Sequence, residues 1–237
     1  MYKHAFILAA GMGSRLRPYT DTMPKPMVSV IGKPIIDHIL DKLVDAGITH
    51  VTVNLHYMGD ILKEHLSDRA DIHITLSEET GLLDTGGGVK NALSTLGDKP
   101  FFIINGDAFW SEGKTDIFSR LSSQWQDDDM DILLALQPIE RMTLTKGVGD
   151  YHLSDQKHAS RDTSQKGNMM FAGIRLCHPR IFEKTSDTAF SFLELMDKAE
   201  SNNRLYGIEH LGDWHHISTP EELDRVNATL QGEATDE

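Results

Sequence analysis

An α/β fold with a mixed, mainly parallel central sheet flanked by helices is predicted by three features of this 237-residue chain. Short apolar runs alternate with segments of helical periodicity through its first half, which implies right-handed βαβ crossovers and parallel neighbours. The first run ends in Leu8-Ala9-Ala10-Gly11-Met12-Gly13, a glycine turn of the kind that closes a strand at a ligand crevice. A later run, Phe101-Phe102-Ile103-Ile104, leads directly into Asn105-Gly106-Asp107, a carboxylate at the end of a buried strand.

Taken in order, Ala5 to Ala10 is the first strand. Ile35, Ile36, Ile39, Leu40, Leu43 and Val44 recur at helical spacing and stop at Gly47, a glycine C-terminal cap. His50 to Leu55 is short and β-branched, hence a strand. A helix from about Gly59 to Leu66 leads to a strand at Ile72 to Leu76, and a helix from about Gly88 to Leu96 leads to Phe101. After a helix near Ile117 to Trp125, Asp127-Asp128-Asp129 reads as a solvated loop, because packed like charges stay in water. Strands follow at Asp131 to Leu136, Gly147 to Leu153 and Met169 to Leu176, the last two as an antiparallel or mixed extension. Ser154 to Gly167 lacks periodicity and is expected to be a mobile loop or hairpin over the site. A helix near Phe192 to Glu200, strands near Leu205 to Ile208 and Trp214 to Ile217, and a helix from about Pro220 to Leu230 complete the chain. Thr219, Pro220 and Glu222 form a capping-box arrangement at its start. No repeat or Pro/Gly/Ser-rich linker divides the sequence, so one domain is expected over 1–231, with 232–237 a frayed tail.

Composition narrows the function. A net charge of −13 opposes a nucleic-acid partner, since phosphate backbones are held by surplus Lys and Arg. Cys177 is the single cysteine and cannot form an internal disulfide. No apolar run reaches the length of a membrane span and the first residues lack a cleavable leader, so a cytoplasmic address is expected. Twelve histidines are present, yet there is no H-E-x-x-H and no paired cysteine, so most belong on surfaces. No Gly-x-Ser-x-Gly elbow occurs, and nothing near Cys177 would activate it.

An acidic chain with a basic cluster at one loop points to a small phosphorylated ligand. Gly11 and Gly13 let backbone N–H groups turn toward an anion, and Arg15, Arg17 and Lys25 add cations. The loop is neither a dinucleotide fingerprint, which needs Gly at position 16, nor a Walker A loop, which needs Gly-Lys-Ser/Thr. Asp107 supplies a hard oxygen donor of the sort Mg²⁺ selects, or else ends its strand in a plain Asx turn. Gly86, Gly87 and Gly88 open a helix at an entropic cost that a flat ring or a phosphate lying close to the backbone would justify. His215 and His216 alternate on a strand, so one of them can face a site.

Together these residues resemble the sugar-1-phosphate nucleotidylyltransferases. Leu8 to Arg17, Pro24-Lys25-Pro26, Gly32-Lys33-Pro34, Asn54, Glu79, Asp84 to Gly88, Asn105 to Asp107, Gly149-Asp150, Phe171 to Ile174 and Trp214 to Glu222 carry the likeness over nearly the whole chain. The compact length and the Leu-x-Thr-Gly-Gly-Gly pattern are most similar to the branch that uridylylates N-acetylmuramate 1-phosphate in peptidoglycan recycling. The mannose-1-phosphate guanylyltransferase branch looks alike but usually carries extra C-terminal repeats.

The resemblance implies a Rossmann-related nucleotide-diphospho-sugar transferase fold. It also implies a reaction in which a sugar 1-phosphate oxygen attacks the α-phosphorus of a nucleoside triphosphate and pyrophosphate leaves. On that reading the Gly11 to Gly13 backbone and Arg15 hold the triphosphate, and Lys25 holds the sugar phosphate or the α-phosphate. Gly86, Gly87 and the Ala9-Ala10 backbone hold the base. Asn105 lies near the ribose or sugar, Asp107 carries Mg²⁺, and Asp150, Glu79 and Gly173 serve the sugar. The family's closing Trp-x-Asp-Val-Gly-Thr is here altered, with His216 in place of the second metal-binding Asp and Ser218 in place of Gly. An imidazole suits borderline metals better than Mg²⁺, so either Asp107 and phosphates alone hold the metal, or Mn²⁺ or another transition metal is preferred, or activity is reduced; the expectation is that His216 faces the metal and shifts its preference. A nucleotide-sugar glycosyltransferase and a silent nucleotide-sensing module are the competing expectations, and a monomer or small homo-oligomer is expected.

Overall fold

The computed structural model describes residues 1–145 and 147–235. Its strands, in chain order, are β1 (His4–Leu8), β2 (Ser29–Val30), β3 (Lys33–Pro34), β4 (His50–Leu55), β5 (His73–Glu78), β6 (Phe101–Asn105), β7 (Ala108–Trp110), β8 (Ile132–Pro138), β9 (Tyr151–Leu153), β10 (Ala159–Arg161), β11 (Met169–Cys177), β12 (Leu205–Glu209) and β13 (Trp214–His216). The helices are α1 (Ile35–Asp45), α2 (Gly59–Ser67), α3 (Asp84–Asn91), α4 (Ile117–Gln124), α5 (Phe192–Ser201) and α6 (Pro220–Thr235).

Among the described residues the main sheet has nine strands and is mixed. Strands β6, β1, β4 and β5 lie side by side and parallel, β11 runs antiparallel to β6, β8 antiparallel to β11, and β12 parallel to β8. The β9–β10 hairpin joins β11 through Tyr151 and Met169. Strand β1 alternates Ala5 and Ile7 toward one apolar layer and Phe6 toward the other, the pattern of a strand covered on both faces. Helices α1, α2, α4 and α6 cover one face of the sheet, and α3 and α5 the other.

The chain proceeds from β1 to β4 to β5 on one side, then crosses back to place β6 on the other side of β1. Leu8 is thus paired with Asn105 at the carboxyl ends of two parallel strands whose connections diverge. This is a topological switch point, where open α/β sheets leave a crevice. A separate two-stranded sheet, β7 with β13, pairs His216 with Ala108 and so brings the far end of the chain beside Asp107.

Most expected elements stand within two or three residues of their expected limits, with two differences. The glycine-rich helix begins at Asp84, not Gly88, and ends at Asn91, with a separate 3₁₀ turn at Leu93–Thr95. The strand expected from Gly147 is regular only from Tyr151, because Gly149 has φ +44° and packs against the Gly167 carbonyl. The segment after it resolves as a hairpin, tightened by Lys157 N–H donating to the Ser154 carbonyl. The capping box is present: Ser218 and Thr219 N–H donate to Glu222 Oε2, and Glu222 N–H donates to Thr219 Oγ1. Helix α6 continues to Thr235, and the remainder of the expected frayed tail, 236–237, lies outside the described residues. No described helix is long and apolar enough to cross a membrane.

Candidate active site

The crevice at the ends of β1 and β6 holds a cavity of about 550 Å³. Ala9, Ala10, Gly11, Gly13, Arg15, Lys25, Asn105 and Asp107 all line it, so most of the expected site residues converge. The loop after β1 turns at Gly13, whose φ of +59° and 2.9 Å clearance to Lys25 Cβ leave no room for a side chain. Thr20 Oγ1 donates to the Gly13 carbonyl and Tyr57 OH to the Thr20 carbonyl, pinning the turn from beneath. Gly11, in contrast, has nothing within 4 Å of the place a Cβ would occupy.

Arg15 is exposed and makes no hydrogen bond or ion pair among the described residues. Arg17 does not join it: its guanidinium pairs with Asp21 at 3.1 Å and does not line the cavity. The expected three cations are therefore two. The second, Lys25, is held on a 3₁₀ turn between Pro24 and Pro26, and its Nζ donates to Asp107 Oδ2 at 2.6 Å. Burial works to raise the Asp107 pKa, but the Lys25 ammonium, aided by His216, holds the carboxyl below the usual carboxylate value.

Of the two histidines on β13, His215 is buried against the Phe109 ring at 5.9 Å, and His216 is the one that feels the site. Burial lowers the His216 pKa, while Glu222 and Asp107 pull it up and Lys25 and Arg15 push it down. The balance leaves the imidazole below its ordinary value, with burial the largest cause. Among the described residues no group of three or more His, Cys, Asp and Glu side chains is set to hold a metal ion. The donor set, one carboxylate with an imidazole nearby, fits a cation that takes its remaining ligands from substrate phosphates.

A buried polar chain braces the loop from the other side. Ala9 N–H donates to Asn54 Oδ1 at 2.6 Å, Asn54 Nδ2 to Glu79 Oε1 at 2.7 Å, and Leu83 N–H to Glu79 Oε2 at 3.0 Å. Glu79 was expected beside the sugar; both its oxygens instead accept from the frame of the first cavity. Gly86 and Gly87 also differ from expectation. Both N–H groups donate to the Phe190 carbonyl, and a Cβ on Gly86 would lie 2.3 Å from the Phe190 ring. On Gly88 it would lie 2.6 Å from Glu79 Oε1. These glycines let α3 pack against its neighbours, and Asp84 and Thr85 are the residues of this motif that face the cavity.

A second chamber of about 430 Å³ shares Thr85 and Asn105 with the first. Asp150 lines it and accepts from Phe171 N–H at 2.9 Å, and burial raises its pKa despite that bond. Gly173 sits behind the wall rather than in it. With φ +74° and Asn105 Cβ 3.2 Å from its missing Cβ, it fits β11 against the end of β6. Two further residues of this chamber, Tyr151 and Arg175, carried no motif. Their one legible signal is an arginine inside the apolar run Met169 to Cys177.

Comparison with known proteins agrees with this geometry. Residues 4–143 match the family described as nucleotidyl transferase. The chain is 34% identical over 234 residues to an N-acetylmuramate alpha-1-phosphate uridylyltransferase of Caulobacter vibrioides, covering 96% of this chain and 97% of that one. It is 30% identical to the enzyme of the same name from Neisseria meningitidis, covering 94% and 96% of the two chains. Among solved structures, HddC from Yersinia pseudotuberculosis superposes with a TM-score of 0.77 at 24% identity, over 97% of this chain and 100% of that one, a likeness of fold. A cavity-lining glycine loop, a Lys–Asp pair at a switch point and full-length likeness to such enzymes lead to one conclusion: the chain belongs to the nucleotidyl transferase family and is a sugar-1-phosphate nucleotidylyltransferase.

Proposed function

We propose that the enzyme transfers a uridylyl group from UTP to N-acetylmuramate 1-phosphate and releases pyrophosphate. The observation that carries this reading is the pair of adjoining chambers, one basic and glycine-lined, the other closed by β9–β11 and α5, with Thr85 and Asn105 between them. The Caulobacter and Neisseria relatives, similar along almost their whole length, supply the choice of nucleotide and sugar.

In this reading the base and ribose lie against the Ala9-Ala10 backbone, Asp84 and Thr85, and the triphosphate lies along Gly11 to Arg15. The loop N–H groups and Arg15 face the departing pyrophosphate and stabilise charge as it develops. Lys25 stands where the two phosphates meet and orients the attacking oxygen in line with the leaving group. The 3₁₀ turn between Pro24 and Pro26 and the bond to Asp107 fix the position of Lys25. Asp107, with His216 opposite, would hold a divalent cation, Mg²⁺ or Mn²⁺, which when bound neutralises charge on the phosphate oxygens. Asp150 and Asn105 orient the sugar. We read residues 1–231 as one domain in the cytoplasm, where nucleoside triphosphates and sugar phosphates are available.

The test is pyrophosphate release from UTP, GTP, CTP and dTTP against a panel of sugar 1-phosphates, in Mg²⁺ and in Mn²⁺. UTP with N-acetylmuramate 1-phosphate should give the highest kcat/KM. A maximum with GTP and mannose 1-phosphate, or no pyrophosphate from any pair, overturns the reading.

A further inference from the structure

Among the described residues Arg175 is a buried cation without a counter-ion. Strand β11 shifts register between Phe171 and Arg175, a bulge that carries Gly173 and redirects the chain before pairing resumes with Ile103 and Leu134. The Arg175 side chain is 3% exposed and lines the second chamber. Its guanidinium carbon lies 4.0 Å from the Phe192 ring centroid and 5.2 Å from that of Phe171. Nη2 donates to Asn105 Oδ1 at a long 3.4 Å, Nη1 lies 3.6 Å from Met196 Sδ, and Nε has no acceptor.

No carboxylate pairs with Arg175 among the described residues, and burial lowers its pKa to about 10. An unpaired buried charge is costly and persists where something else requires it. Tyr151, in the same chamber, has a buried hydroxyl with no hydrogen-bond partner among the described residues, and burial raises its pKa so that it stays a donor. The other charged groups here are engaged. Arg161 pairs with Asp197 at 3.3 Å, Asp162 accepts from Ser164, and Asp150 accepts from Phe171 N–H.

We infer that Arg175, assisted by Tyr151, is the specificity-determining residue of the sugar chamber and binds a carboxylate carried by the sugar. The inference rests on the nucleotidyl-transfer reading above. The phosphates already have Arg15 and Lys25 in the first chamber. Phe171 and Phe192 pack around the guanidinium, and a flat carboxylate is the anion that its planar fork matches with two parallel hydrogen bonds. N-acetylmuramate carries such a group on its lactyl ether; N-acetylglucosamine is the same sugar without it.

The experiment is calorimetric binding of N-acetylmuramate 1-phosphate and N-acetylglucosamine 1-phosphate to the full chain, as wild type, Arg175→Met and Arg175→Lys. The wild type should prefer the carboxylated sugar, and Arg175→Met should cut that preference roughly 10- to 100-fold, the worth of a charge-assisted hydrogen bond. Arg175→Lys should fall between. The melting temperature of ligand-free Arg175→Met should hold or rise, since an uncompensated charge has gone. No preference in the wild type, an unchanged preference in Arg175→Met, or equal weakening of both sugars overturns the inference; equal weakening would assign Arg175 to the phosphate or the fold. Arg175-dependent preference without pyrophosphate release from UTP upholds the inference and removes the uridylyl-transfer reading instead.

Discussion

Replacing Gly11 with alanine separates the glycine loop's proposed part in binding from its part in folding. A Cβ at Gly11 meets nothing within 4 Å, and the residue is exposed with φ outside the left-handed region. Stability should therefore hold or rise by about 0.4–1 kcal/mol, because alanine restricts the unfolded chain. For a chain of this size that is a shift of roughly 1–4 °C upward. Gly11 nevertheless lines the 550 Å³ cavity, where on the proposed reading a phosphate approaches the loop N–H groups. Loss of one charge-assisted hydrogen bond, about 1.5–3 kcal/mol, raises KM for the triphosphate roughly 10- to 150-fold. Differential scanning fluorimetry and a coupled pyrophosphate assay read the two effects separately. Gly13→Ala is the control: strained at φ +59° and pressed on Lys25, it should lose both stability and activity. A Gly11→Ala enzyme with wild-type KM would show that no phosphate closely approaches this loop.

Asp107→Asn should lower kcat by about a thousandfold or more with its melting temperature within a few degrees of wild type, because the carboxylate charge acts on the phosphates. Near wild-type turnover would remove Asp107 from the chemistry. His216→Asp should raise the ratio of Mg²⁺- to Mn²⁺-supported activity by about tenfold or more, as a hard oxygen replaces nitrogen; an unchanged ratio takes His216 away from the metal. His210 is buried, and burial lowers its pKa to about 4 although the Ser111 and Asp213 carbonyls pull it up. A folded-state pKa below the unfolded one gives stability that is present above pH 6.5 and lost as pH falls toward 4. His210 should account for about 2.5 kcal/mol lost between pH 7 and 4.5. Urea unfolding of His210→Gln at the two pH values should show a correspondingly smaller loss, and an equal loss refutes the assignment.

Much of the fold and half of the site were legible because they depend on local pattern. The Leu8 to Lys25 stretch and Asn105 to Asp107 announce themselves through glycine, proline and charge at strand ends, and both lie at the switch point. What failed depended on what packs against what. Gly86 and Gly87 look like a ligand cradle in one dimension, yet the partner they admit is Phe190, a hundred residues away in sequence. Glu79 looks like a free carboxylate until Asn54 and Leu83 are seen to claim it. His210, one of many scattered histidines, is buried and hydrogen-bonded to the Ser111 carbonyl, a partner that no pattern marks. Arg175 shows the opposite case, where a break in an apolar strand was visible but its cavity was not.

The pairing of β7 with β13 also sets an order in time. Asn54, Glu79 and Asp107, which frame the first cavity, are encoded in the first half of the chain, whereas His216 and Ser218 arrive from the last strand and cap. At ordinary ribosome speeds the interval between Asp107 and His216 is roughly 5–20 s. A growing chain thus carries the glycine loop and Asp107 well before it acquires β13, the strand that pairs beside Asp107.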